Sequence, residues 1–313
     1  MPCAPIFDLH CDTLTAFMDS APQRSANTLN DPCHQFALCK IPHGVRWAQC
    51  CAIFVPDQLH GAEAADYYTL HRDSFFRQMS ALELLAAPCR TVNEIELTWN
   101  AGKTAALLTV ENASALAGEL SKIEQLRRDG VVMMTLTWNG ANELGSGHST
   151  DGGLTAFGKA AVREMERQEI LVDVSHLNDR GFFDLLDTAQ VPFVASHSNA
   201  RAVCSHRRNL TDEQIREMVE RDCLIGLNYY NAFLCSDERE VTLEDLWRHV
   251  EHFLELDGER SLCLGGDMDG CELLAGGMRG LEDVPLLWQA LADRGYPQSL
   301  LEDLFWNNLR RLI

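Results

Sequence analysis

The 313-residue chain lacks any apolar run near the ~18 residues of a membrane span. Its opening, MPCAPIFDLHCD, has neither a basic leader region nor a long apolar stretch, so no secretory signal is expected. Its closing LFWNNLRRLI is amphipathic and charged, unlike a lipid-anchor tail. The expectation is a cytoplasmic protein with no membrane anchor. Basic residues are scarce, 26 Lys and Arg against 46 Asp and Glu, and the formal charge is −20. Such a surface repels phosphate backbones and anionic membranes, which argues against a nucleic-acid partner and reads as solubility. There are twelve cysteines but no CxxC, so zinc-ribbon and thioredoxin-like motifs are excluded. Many lie in apolar runs such as AQCCAIFV and SLCLGG, and read as reduced, packed thiols. Low-complexity linkers and short repeats are missing too.

What recurs is an alternation. Short apolar runs stand at 5–10, 47–55, 105–110, 131–138, 170–176, 192–197, 223–230 and 261–266. Helical patterns fall at 156–168, 179–189, 212–222 and 243–256, with a long helix expected over 62–87. Thr211 with Gln214 three residues on reads as a capping box. Eight strands alternating with helices point to a parallel sheet, and the count of eight to a closed (β/α)₈ TIM barrel, one catalytic domain over 1–313. An open doubly wound sheet is the competing architecture, but no GxGxxG follows the first strand. In a barrel the chemistry sits where strands end.

The first run ends in His10-Cys11-Asp12, and period-two alternation points the imidazole and the carboxylate the same way. The third ends in Glu111, a carboxylate that needs a cation if it faces inward. The fifth and sixth end in His176 and His197, on neighbouring strands about 5 Å apart. The eighth ends in Gly265-Gly266-Asp267. Taken singly, each has a bland explanation, a packed histidine or a helix-capping acid. Taken together they supply two three-ligand metal sites if Glu111 bridges. Nitrogen and oxygen ligands without cysteine suit a catalytic zinc pair, which can share a hydroxide that is nucleophilic near neutral pH.

The segments FDLHCDTL (7–14), LLTVENASAL (107–116), LTWNGANELGSG (136–147), LVDVSHL (171–177), SHSNARAVCSHRRNLTD (196–212) and LGGDMDG (264–270) resemble the zinc-dependent membrane (renal) dipeptidase family of the amidohydrolase superfamily. The resemblance runs nearly end to end. It implies two Zn²⁺ per chain, one on His10 and Asp12, the other on His176 and His197, bridged by Glu111. It implies that Asp267 handles protons beside the first zinc, with Glu111 part of the catalytic centre. It further implies that Arg208 grips the substrate's C-terminal carboxylate while Arg207 stays solvated, and that the protein is a homodimer. A near-neutral metal centre, with Asp12, Glu111, Asp267 and a hydroxide balancing two Zn²⁺, leaves a substrate carboxylate in need of its own cation. Better-known family members carry a histidine where this chain has Trp138. Trp138 then reads as a substrate-binding wall, and Asn139, Asn142 and His148 as candidates for the missing donor. The expected activity is hydrolysis of dipeptides through a metal-bridging hydroxide, substrates with a C-terminal D-residue among the candidates. The alternatives are an amidohydrolase acting on another small amide, such as an N-acyl amino acid, and an inactive metal-binding relative.

Overall fold

The computed structural model describes residues 5–19, 28–237 and 240–313. Nine parallel strands form one sheet: β1 (Ile6–Cys11), β2 (Trp47–Phe54), β3 (Ala86–Pro88), β4 (Thr104–Glu111), β5 (Val131–Thr135), β6 (Leu171–Asp173), β7 (Val194–Ala195), β8 (Leu224–Leu227) and β9 (Leu262–Leu264). β1 pairs with both β2 and β9, and β2 pairs onward with β4, so eight strands close into the expected TIM barrel. β3 is an addition that pairs only with the start of β4. Its Pro88, which has no N–H to give a ladder, stands at the strand's end.

Alternation along the strands splits the apolar side chains into two clusters. One holds Phe7, Leu9, Ala48, Cys50, Ala105 and Leu107 with Trp306 from the final turns. The other holds Ile6, Trp47, Cys51, Ile53, Leu108 and Val110 with the surrounding helices. Helices over Ala156–Arg167, Asp179–Leu186, Asp212–Glu220 and Leu243–Glu255 follow the periodic pattern closely. The Thr211 capping box forms, with Thr211 Oγ1 accepting the Gln214 N–H and Gln214 Oε1 accepting the Thr211 N–H.

Two expectations need correction. The long helix ends at Ala81, residues 82–85 form a turn, and Ala86 and Ala87 belong to β3. The proline at 88 disfavours helical backbone at Ala87, and Ala86 and Ala87 instead pair with Thr104 and Ala105 of β4. The strands also stop short: the fifth run leaves the ladder at Asp173 rather than 176, the sixth at Ala195 rather than 197. Their last residues are turns, because hydrogen bonds from polar side chains replace the ladder. Asp173 Oδ1, for example, accepts the N–H groups of both Ser175 and Ser196.

Of the twelve cysteines, Cys3 lies outside the described residues; the other eleven form no disulfide with one another, and eight of them are buried. No helix among the described residues is long and apolar enough to cross a membrane.

Candidate active site

The mouth of the barrel collects its ionisable residues by breaking local regularity. The β1–β2 register shifts between Asp8 and Cys11, a bulge that re-aims His10. Asp8 anchors that stretch. Its carboxylate accepts from the His10 and Gly266 N–H groups and from Gln49 Nε2. Burial pushes the Asp8 carboxyl up to about 6 in spite of these bonds. Glu111 is the last residue of β4. His176 (φ 72°) and Asp267 (φ 60°) both adopt left-handed backbone conformations. Such values are uncommon for residues other than glycine and concentrate at functional sites.

These residues converge. His10 Nε2 lies 3.5 Å from Asp12 Oδ2, 3.5 Å from Glu111 Oε2 and 3.9 Å from Asp267 Oδ1. The other oxygen of Glu111, Oε1, lies 2.8 Å from His176 Nε2 and 3.6 Å from His197 Nε2. The two histidine nitrogens are 3.0 Å apart. Glu111 thus faces one group with each oxygen.

The donor set fits a metal centre. His176 Nδ1 faces Asn139 Oδ1 at 2.9 Å and therefore carries its proton there. Burial, reinforced by the Arg208 charge, holds the His176 pKa well below the ordinary value, so the ring is neutral. Its Nε2 then presents a bare lone pair to a carboxylate oxygen 2.8 Å away, an arrangement that needs a cation between them. His10 Nε2 and Asp12 Oδ1 are buried without a hydrogen-bond partner, as ligand atoms would be. Burial works against a charged His10, but Asp12 and Glu111 together hold its pKa well above the usual range. Burial, then the Asp12 charge, raises Glu111 to about 7. A metal would replace these protons.

A cavity of about 380 Å³ opens onto this cluster. Phe54, Trp138, Tyr230 and Phe233 supply aromatic walls, with Asn139 and His148 beside them. Trp138 packs edge-on against Phe54, ring centres 4.8 Å apart. Arg208 lies behind the cavity, 4% exposed, its guanidinium over the Phe233 ring. It donates to the His197 carbonyl at 3.2 Å, and its Nε has no partner. Among the described residues no carboxylate comes within salt-bridge distance of it. Neighbouring Arg207 is exposed.

The family model for membrane dipeptidase, peptidase family M19, matches residues 1–313. The chain belongs to that family. It is therefore a metallopeptidase-type hydrolase on a TIM barrel. A crystal structure of a metallopeptidase described as dipeptidase AC superposes with a TM-score of 0.92 at 27% identity, covering 99% of this chain and 98% of that one. A Rhodobacter sphaeroides metallopeptidase, solved with a phosphinate mimic of the dipeptide L-Ala-D-Ala, gives the same TM-score and coverage at 26% identity. A Klebsiella pneumoniae protein from the pqqA 5′ region is 33% identical over 261 residues, which is 77% of this chain and 95% of its own length.

Within this dipeptidase-family barrel, the sequence reading missed the residues that hold the ionisable ones in place. Asn228, just beyond β8, donates to Asp267 Oδ2 at 3.0 Å. Ser196 Oγ bridges His197 Nδ1 and Asp173 Oδ2, and Thr135 Oγ1 also donates to that carboxylate. The usable clue was a polar residue closing each apolar run, as Asn228 closes CLIGL. Of the three candidate donors, Asn142 is engaged within the loop, its amide bonded to Asn112 Oδ1, the Leu136 carbonyl and the Leu144 N–H. Asn139 gives its oxygen to His176. His148 Nδ1 is buried and unpartnered.

Proposed function

We propose that this dipeptidase-family protein is a binuclear zinc enzyme whose residues 1–313 form one catalytic unit, and that it cleaves dipeptides with a free C-terminal carboxylate. His10 and Asp12 would hold one ion, His176 and His197 the other, with Glu111 shared. When bound, the pair supplies the acidity that makes water a nucleophile near neutral pH.

The observation that carries the substrate reading is Arg208. A buried guanidinium without a carboxylate partner is costly, and a substrate carboxylate relieves that cost through a two-pronged, charge-assisted contact. Burial lowers the Arg208 pKa, while the charges of Asp267 and Glu111 oppose that shift and keep it cationic. The arginine thereby fixes how far the scissile carbonyl stands from the anchored end.

Asp267 is the proton carrier in this reading. Asn228 holds its Oδ2, leaving Oδ1 turned toward His10. From there it takes the proton of the attacking water and delivers it to the departing amine. Asn139 keeps the His176 ring in one tautomer. His148, with its unpartnered Nδ1 in the cavity wall, donates to the oxyanion as it develops, and Trp138 serves as an apolar wall. Because a structurally similar relative accepts a mimic of L-Ala-D-Ala, dipeptides ending in a D-residue belong in the substrate range tested.

The test is a panel given to zinc-loaded enzyme: L,L- and L,D-dipeptides, the matching tripeptides and N-acetyl amino acids. Turnover of dipeptides with poor turnover of the other two classes is expected. Equal turnover of N-acetyl amino acids would favour the more general amidohydrolase reading.

A further inference from the structure

A second cluster of metal-binding atoms lies outside the mouth, in the loop before β2. A carboxylate oxygen of Asp31, the sulfur of Cys33 and a ring nitrogen of His34 lie within 4.8 Å of one another. We propose that Asp31, Cys33 and His34 form a separate site for one Zn²⁺ ion.

The loop is built to present these atoms. Asp31 Oδ1 accepts the Cys33 N–H at 3.0 Å, which curls the chain so that both side chains emerge from one turn. His34 is only 8% exposed, and its Nε2 is buried without a hydrogen-bond partner. Its other nitrogen, Nδ1, lies 3.7 Å from Asp269 Oδ1. A carboxylate behind a histidine is the usual support of a metal-bound imidazole, since it fixes the tautomer and makes the free nitrogen a better ligand. Asp269 is itself held firmly. It accepts from Thr13 Oγ1 and from the Gln35 and Phe36 N–H groups, and its own N–H donates to Gln35 Oε1.

The donor set selects the ion. One oxygen, one nitrogen and one sulfur suit Zn²⁺, whereas Mg²⁺ and Ca²⁺ prefer oxygen throughout. Cys33 is exposed and Asp31 half-buried, so an ion can enter from solvent. Binding would release the Cys33 thiol proton. Asp269 also lines the mouth cavity, so an ion on His34 would pin the loop to the rim of the active site.

Cobalt substitution tests this, because a cysteine thiolate on Co²⁺ gives a near-ultraviolet charge-transfer band that nitrogen and oxygen ligands do not. The mouth's converging donors contain no sulfur. The full chain, stripped of metal and kept reduced with a non-thiol reductant, is titrated with Co²⁺. The expected result is a sulfur-to-cobalt band in the wild type that is lost in Cys33→Ser, reduced in His34→Gln and retained in Cys39→Ser. Zinc-loaded Cys33→Ser should hold one ion per chain fewer than wild type. That difference does not depend on how many ions the mouth holds, so it stands or falls apart from the dipeptidase reading. No band in the wild type, or a band that survives Cys33→Ser or vanishes equally in Cys39→Ser, would overturn the site.

Discussion

The barrel has a cavity at each end, and the larger one is not where the chemistry gathers. The cavity at the strand starts measures about 490 Å³, against about 380 Å³ at the mouth. Its polar and aromatic groups are matched to one another. Trp99 and Trp306 pack edge to face at 4.6 Å, Arg46 and Arg310 lie over their rings, and Arg310 pairs with Glu96 at 3.1 Å. None of its lining residues has a buried polar atom without a partner. At the mouth the reverse holds: His10 Nε2, Asp12 Oδ1, His148 Nδ1 and Arg208 Nε are all buried and unpartnered. Native proteins leave few such atoms, so a group of them around one cavity marks a place where something else binds. Unmet bonding capacity locates the site better than volume does.

The most severe way to break this contrast is at Glu111. Glu111→Gln removes the charge that both histidine groups face, and should lower kcat/KM by about 10³-fold or more, beyond the 10–100-fold typical of a supporting residue. Zinc content measured beside activity should fall as well. Unchanged zinc and activity would mean that Glu111 is not shared.

Asp267→Asn should cost about 10²-fold in kcat while zinc content stays near wild type, because the role proposed for the side chain is proton transfer. Steady-state kinetics paired with metal analysis checks both halves. If kcat holds, Asp269 two residues on becomes the candidate.

At Arg208 the effect is expected to be smaller. Arg208→Lys keeps the charge but loses the fork, and should weaken dipeptide kcat/KM by roughly tenfold. Arg207→Lys, on an exposed side chain, should change it little.

The floor supplies the other side of the comparison. Trp306→Phe removes part of the edge-to-face packing with Trp99 and should lower Tm, yet leave kcat/KM within about twofold, since distant sites act independently. A large loss of activity there would show that the two ends are coupled.

How much of this was legible in the sequence follows from the same physics. An apolar run that stops at an ionisable residue is easy to see, so His10, Glu111, His176, His197 and Asp267 stood out, and the structure brings all five together with Asp12. The closed barrel was legible from the spacing of its runs. Supporting residues were not. Asp8, Asp173 and Asn228 sit within or beside apolar runs and leave no periodic trace, because each acts through hydrogen-bond partners far along the chain. The true strand ends were hidden for a related reason. Side-chain hydrogen bonds at 173–176 and 194–197 take over from the ladder while the sequence still reads as strand.

The central claim is that the unpaired charge behind the mouth awaits a substrate carboxylate. It is tested most directly by measuring kcat/KM for a dipeptide and for its C-terminal amide with the same zinc-loaded enzyme. A charge-assisted pair to a buried arginine is worth about 1.5–3 kcal/mol, so the free acid should be favoured by about tenfold or more, and Arg208→Lys should shrink that preference. Equal turnover of acid and amide would contradict the carboxylate clamp and, with it, the dipeptide reading of this site.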